Sequence, residues 1–273
     1  MSSPPKIISV GLIGTGRIGL PIVGHLVDHG FAVQAYDVDT TKRSAVEDRG
    51  GNWATFEELS RGAEVILICV GYDRELRSLI ADGLATLPAP GTIVGVLSTV
   101  NPRTVQELER RATPAGVAVV DATLCRGARA ADAGTLLSFL AGEPHVVERV
   151  RPVVASYSAD IVYTGAIGTA QVAKAANNLL MWACLIANHE ALALAARFGV
   201  DVNLLRDALL RTGAENAVLR NWGTSTMKWA DDDLAVIQDM ARDAGITLPQ
   251  AELNRELCRQ VMPRKFRLEK YGI

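Results

Sequence analysis

Gly14-Thr15-Gly16-Arg17-Ile18-Gly19 has the spacing G-x-G-x-x-G. An apolar, β-rich run from Ile7 to Ile13 precedes it, and a helical pattern from Ile18 to His29 follows. In that context each glycine has a task. Gly14 permits a tight turn, Gly16 lets the backbone approach a pyrophosphate, and Gly19 lets helix and strand pack closely. The free N–H groups of the new helix, around Arg17 and Ile18, then face phosphate oxygens. Asp37 ends the next strand candidate, 23 residues after Gly14. A carboxylate there can accept from both ribose hydroxyls of NAD and repels the extra phosphate of NADP. No Arg follows it directly; Lys42 and Arg43 come later. NAD is therefore expected over NADP, with FAD as the lesser alternative. The competing reading is an ordinary βαβ turn with a solvated Asp.

The second set is Gln171, Lys174 and Asn178, which follow Gly165 and Gly168. Residues three and four apart share one face of a helix. An ammonium and an amide thus stand side by side on an otherwise apolar helix. A partly desolvated ammonium gives up its proton more readily, which suits it to exchange a proton with an alcohol or carbonyl oxygen. The alternative is a surface Lys whose stem lies along the helix.

These residues need a frame. Ala32 to Tyr36, Val65 to Val70, Thr92 to Leu97 and Val117 to Ala122 are short apolar runs. Helical stretches lie between them at Arg74 to Leu84 and Thr104 to Arg111. Strands alternating with helices at this spacing predict a doubly wound parallel sheet, a Rossmann α/β domain over 1–165. Beyond it helical composition dominates, with one helix of about 30 residues followed by candidates at Val202 to Thr212, Leu234 to Asp243 and Gln250 to Met262. An all-α C-terminal domain over 166–273 with a long inter-domain helix is expected.

Composition narrows the function classes. The chain has 273 residues, 49% of them hydrophobic, and a formal charge of −2. Nothing there points to nucleic acid or an anionic membrane as partner. Cys69, Cys125, Cys184 and Cys258 form no CxxC pair, which argues against a zinc site or a disulfide scaffold and for a reducing, cytoplasmic setting. The N-terminus shows no apolar signal region, and the longest uninterrupted apolar run, Leu179 to Ala187, covers nine residues. A membrane span needs roughly 20, so no membrane partner is expected.

Four motifs occur in a telling order: the glycine fingerprint; Ser98-Thr99-Val100-Asn101-Pro102; Asp121-Ala122 with Gly134-Thr135-Leu136; and Gly168 through Lys174 to Asn178. In this the chain resembles the β-hydroxyacid dehydrogenases, the family of 3-hydroxyisobutyrate dehydrogenase and tartronate semialdehyde reductase. The resemblance implies a hydride exchanged between a nicotinamide and a small β-hydroxy acid or semialdehyde. Lys174 would be the general acid/base and Asn178 would orient the substrate. Thr99 would lie near the nicotinamide, and Val70 would line the cofactor groove. Thr123, Leu124, Cys125, Arg126 and Gly127 would hold the substrate's acid group. A homodimer or homotetramer is implied as well.

The chain departs from the family in two places. Relatives commonly carry Ser-Gly-Gly where this chain has Cys125-Arg126-Gly127. Arg126 places a planar cation there, able to grip an oxyanion on the substrate; alternatively it faces solvent or pairs with an acid such as Asp132. Cys125 is read as a small stand-in for Ser rather than a nucleophile. Where relatives carry a cofactor-facing Lys before Asp-Leu, this chain has Asp231-Asp232-Asp233-Leu234. Lys228 is the candidate replacement. The aspartates read as a helix N-terminus in preference to a metal site. His189, Glu190, Trp182, Trp222 and Trp229 read as core or interface residues. Two other functions compete: an imine reductase of related fold, against which Lys174 and Asp37 speak, and a non-catalytic dinucleotide-binding redox sensor.

Overall fold

The computed structural model describes residues 7–223 and 227–261. The chain forms two compact units, one ending at Lys174 and the other beginning at Ala175.

In the first unit the strands are β1 (Ser9–Ile13), β2 (Ala32–Tyr36), β3 (Asn52–Trp53), β4 (Val65–Ile68), β5 (Ile93–Val96), β6 (Ala118–Cys125), β7 (Leu136–Ala141) and β8 (Ser158–Gly165). Its helices are α1 (Gly19–Asp28), α2 (Arg43–Glu47), α3 (Phe56–Gly62), α4 (Asp73–Leu79), α5 (Pro102–Ala112), α6 (Gly127–Asp132) and α7 (Pro144–Val154). The sheet order is β3-β2-β1-β4-β5-β6-β7-β8. From β3 to β6 every pairing is parallel, the doubly wound arrangement expected. Beyond that the expectation of a parallel sheet needs correcting. β7 runs antiparallel to β6, and β8 then pairs parallel with β7. Only a short connection, Arg126 to Thr135, returns the chain along β6. A tight return can be made only by an antiparallel neighbour. Regular α4 also stops short of the helix expected to reach Leu84, and Gly83 adopts φ 108°.

The strands are buried on both faces, and their side chains alternate with period two. On β4, Val65 and Leu67 enter a core with Leu26 of α1 and Val150 of α7, while Ile66 and Ile68 enter another with Leu59 of α3 and Leu108 of α5. Helix starts are set locally. Thr55 and Glu58 form a reciprocal capping box at α3, and Asn101 caps α5, with Pro102 in the first turn.

The long helix α8 (Thr169–Arg197) begins in the first unit and continues into the second. In the second unit it is followed by α9 (Val202–Leu209), α10 (Ala217–Arg220), α11 (Ala230–Ala244) and α12 (Pro249–Val261). Met262, the expected end of the last helix, lies outside the described residues. The unit's core joins Trp182, Leu185 and Ile186 to Met227, Leu234 and Ile237. Asp231, Asp232 and Asp233 do occupy the first turn of α11. Asp231 pairs with Arg255 and Arg259, and Asp233 accepts from Trp182 Nε1 at 3.0 Å. His189 is buried with its ring tilted against Trp222, so both serve this core. By length and composition α8 is apolar enough to cross a membrane. Its polar residues Gln171 and His189 are nevertheless buried and hydrogen-bonded within the protein.

Candidate active site

The glycine loop has the shape its spacing predicts. A Cβ on Gly14 would strike the carbonyl of Cys69, and its φ is 94°; a Cβ on Gly19 would strike the carbonyl of Gly14. Nothing lies within 4 Å of the place where a Cβ of Gly16 would stand. Two glycines are thus required by the protein's own packing, and the third leaves open space at the mouth of α1. That is the distribution a pyrophosphate cradle needs. Thr15 N–H donates to Asp37 Oδ2 at 2.8 Å, tying this loop to the end of β2. Arg17 is exposed and forms a bidentate pair with Asp132 of α6, while Ile18 packs against the core.

Asp37 is nearly buried and has four donors. Oδ2 accepts from Thr15 N–H, from Thr15 Oγ1 at 3.2 Å and from Lys42 Nζ at 2.8 Å; Oδ1 accepts from Asp39 N–H at 3.0 Å. Burial alone would raise this carboxyl. The Lys42 ammonium and the two N–H groups overcome it and hold Asp37 below the ordinary carboxylate range. It is ionised at neutral pH, as an acceptor for ribose hydroxyls must be. The position of Lys42 was not anticipated. Sequence spacing gave only a later cation, and the turn through Asp39 to Lys42 folds it back.

Farther along the same carboxyl edge of the parallel strands, past β4, β5 and β6, a buried polar network gathers. Ser98 Oγ accepts from Val70 N–H at 2.9 Å. Gln171 Nε2 donates to the Ser98 carbonyl at 3.0 Å and to Asp121 Oδ1 at 3.3 Å, and its Oε1 accepts from Val100 N–H at 2.9 Å. Asp121 Oδ2 accepts from Gly168 N–H at 2.6 Å, and Thr123 Oγ1 donates to the Ala170 carbonyl at 3.0 Å. These bonds join the half-buried Val70 and Thr99 segments, β6 and the first turn of α8. Desolvation pushes the Asp121 carboxyl up to about 7 against the hydrogen bonds that favour its charge. Gln171 therefore does not share an open face with Lys174. It is fully buried in this network, because its amide finds three polar partners at the strand ends. Asp121 stood in the sequence only as part of a motif. Its partners lie 47 and 50 residues away, and no local signal announces them.

Lys174 is half-buried on α8. Its charge acts on the Cys125 thiol, which burial raises and which Lys174 and Arg126 pull back down. The end of β6, where Thr123 and Cys125 are buried and Leu124 is half-buried, is tied to α8 by the Thr123 bond to the Ala170 carbonyl, four residues before Lys174. Asn178 is buried, and its Oδ1 accepts from Asn177 Nδ2 at 3.0 Å. Arg126 has other partners than those expected of it. Its guanidinium pairs with Asp160 at 2.6 Å and donates to the Thr135 carbonyl at 3.1 Å; Asp132 is taken by Arg17. Among the described residues Arg126 is the one non-glycine with positive φ, 81°, and Gly127 follows at 70°. The backbone of this turn keeps a glycine-type conformation although the residue is Arg. Lys228 lies over the Trp229 ring at 4.8 Å.

Residues 9–165 match the family described as the NAD binding domain of 6-phosphogluconate dehydrogenase, and 168–267 match the NAD-binding family of NADP-dependent 3-hydroxyisobutyrate dehydrogenase. The NAD-dependent L-serine dehydrogenase of Pseudomonas aeruginosa is 28% identical over 253 residues, 89% of this chain and 85% of that one. A solved 3-hydroxyisobutyrate dehydrogenase of Mycobacterium tuberculosis with L-serine superposes with a TM-score of 0.85 at 23% identity, covering 93% of each chain. An imine reductase of Streptomyces aurantiacus gives 0.67 at 15%, covering 97% of this chain and 99% of that one, a likeness of fold alone. The chain belongs to the 3-hydroxyisobutyrate dehydrogenase and 6-phosphogluconate dehydrogenase-like family of NAD(P)-binding oxidoreductases. It is an NAD(P)-dependent dehydrogenase or reductase acting on the CH–OH group of a small hydroxy acid or on the matching semialdehyde.

Proposed function

We propose that this enzyme interconverts a short β-hydroxy acid and its semialdehyde, with Lys174 as the general acid/base and NAD as the preferred dinucleotide. The observation that supports the reading is the Thr123 Oγ1 bond to the Ala170 carbonyl at 3.0 Å, which ties the turn of α8 just before Lys174 to the end of β6. The dinucleotide, bound at Gly14, Gly16 and Gly19 with its ribose at Asp37, supplies or accepts the hydride. The protein's own part is orientation and proton handling. Lys174 takes the hydroxyl proton during oxidation and returns it during reduction, and Asn178, one turn on, orients the same oxygen. Thr99 and Val70 border the nicotinamide. The substrate's anionic group meets the backbone of the turn through Arg126 and Gly127. The Arg126 guanidinium is taken up by Asp160 and leaves the substrate to the N–H groups of the turn. We assign the dinucleotide to 1–165 and substrate binding and self-association to 166–273, in a cytoplasmic setting, with the compact units themselves dividing at Lys174 and Ala175.

The partner in self-association is a second copy of the chain. Leu180, Leu194 and Phe198 on and just after α8, and Leu204 on α9, are exposed, Phe198 at 81%. Apolar surface of that kind on one helix pair favours burial against a like surface. A dimer or tetramer by light scattering, lost in Leu194→Glu/Phe198→Glu, supports this; a monomer at micromolar concentration contradicts it.

The deciding experiment is a panel of 3-hydroxyisobutyrate, L-serine, hydroxy dicarboxylates and hydroxy sulfonates, each with NAD and NADP. NADH formation from a short hydroxy carboxylate, abolished in Lys174→Ala with dinucleotide binding retained, is the expected result. Tight dinucleotide binding with turnover of none of the panel would favour the redox-sensor reading.

A further inference from the structure

Asp121 and Gln171 are fully buried polar residues, and the proton-handling step uses neither. Burying a carboxyl and an amide is costly unless both are satisfied. Farther along α8 the polar bonds are sparser, Trp182 to Asp233 and Asn188 to Asn216, whereas the first turn concentrates several on adjacent residues. What hydrogen bonds add to packing is direction. The Gln171 amide has one orientation open to it. Its Oε1 must face the Val100 N–H, so its Nε2 must face acceptors, and it finds the Ser98 carbonyl and Asp121 Oδ1. Flipping the amide would set donor against donor and acceptor against acceptor. Asp121 fixes the same turn a second time through the Gly168 N–H, and Thr123 fixes it a third time through the Ala170 carbonyl.

We propose that Gln171 and Asp121 are positioning residues that set Lys174 in register with the Val70 and Ser98–Val100 segments. Gln171 precedes Lys174 by three residues, almost one helical turn. A single amide therefore spans from the helix that carries the amine to the chain that carries Thr99, and through Ser98 Oγ to Val70 N–H. Any rotation or slide of the first turn would shift the amine against both segments. The network lies apart from the glycine loop and from Asp37, so its effect falls mainly on the geometry of reaction and much less on dinucleotide affinity. This inference rests on Lys174 being the acid/base.

Gln171→Leu and the nearly isosteric Asp121→Asn test it. The asparagine amide leaves one donor–donor clash whichever way it points, at unchanged volume. The probes are NADH titration, followed by fluorescence, and oxidation of the best hydroxy acid of the panel, with turnover expressed per NADH-binding site so that unfolded protein does not count. The expected result is a kcat lowered on the order of 10²-fold by Gln171→Leu, a smaller loss in Asp121→Asn, a raised solvent deuterium isotope effect in both, and an NADH Kd changed far less than kcat. A lowered Tm with kcat per binding site and isotope effect unchanged would overturn the inference and leave a purely structural network. Full activity in Lys174→Ala would instead remove the reading beneath it.

Discussion

Asp37 and Asp121 serve the two ends of one chemistry from one sheet. Asp37 lies just past β2, and Asp121 occupies the last parallel-paired position of β6, opposite Val96. Both are nearly or wholly buried and both accept backbone N–H groups. Only Asp37 has a cation. The Lys42 ammonium keeps it charged below the usual range, whereas Asp121, facing an amide and an N–H with Glu109 as the nearby charge, is pushed up to about 7. Burial acts the same way on both, so the partners decide the difference. One carboxylate is built to be an anion that recognises hydroxyls. The other is built as a directional acceptor whose charge is dispensable. Binding and positioning are thereby separated in the sheet.

Substitutions on the two sides should then fail in different ways. The largest effect is expected at Lys174, where Lys174→Ala lowers kcat by about 10²–10⁴-fold while NADH still binds; loss of NADH binding in the same variant would break the separation. On the ribose side, Asp37→Ala should shrink the preference for NAD over NADP by about tenfold with little change in kcat. Lys42→Gln sharpens the test from the other direction. Removing the ammonium leaves Asp37 to repel a 2′-phosphate unaided, so the preference for NAD should rise by a smaller factor, measured as the ratio of kcat/KM values.

The two carboxyls also predict opposite pH behaviour. Asp121 has a raised carboxyl in the fold, so its contribution to stability is complete below the unfolded value near 3.8 and is lost as pH rises through about 7. Asp37 has a lowered carboxyl, so its contribution is present above that unfolded value and is lost as pH falls through its folded one. The Tm of Asp121→Asn relative to the natural chain should therefore improve between pH about 5 and 8. A pH-independent difference would mean that Asp121 does not titrate there. The smallest effect is expected of Arg126→Gly. The exposed pair with Asp160 contributes little, and the left-handed backbone costs a non-glycine about 1 kcal/mol or more. Stability should stay level or rise slightly, with substrate KM unchanged; a tenfold rise in KM would return the anion-binding role to the guanidinium.

The same contrast explains what the sequence made legible. Asp37 could be found because its partners are local: the glycine loop, the strand and the turn to Lys42 all lie within one βαβ unit. The short apolar runs of β2, β4 and β5 were legible for the same reason. β7 and β8 were missed because β8 is an exposed edge with no clean alternation, and nothing in Leu136–Ala141 announces an antiparallel neighbour. Helical spacing placed Gln171 near Lys174 but could not show its partners at Ser98, Val100 and Asp121, which come from 50 to 73 residues away. Asp160, the acid that pairs with Arg126, sits on that unforeseen edge strand, so the sequence could not single it out.

The most direct measurement is a crystal structure of the chain with NADH and an unreactive short hydroxy-acid analogue. The account predicts the Lys174 amine hydrogen-bonded to the analogue's oxygen next to the nicotinamide, with the Gln171 amide still bridging Ser98 and Asp121. An amine turned away from both ligands, with another residue on that oxygen, would contradict it.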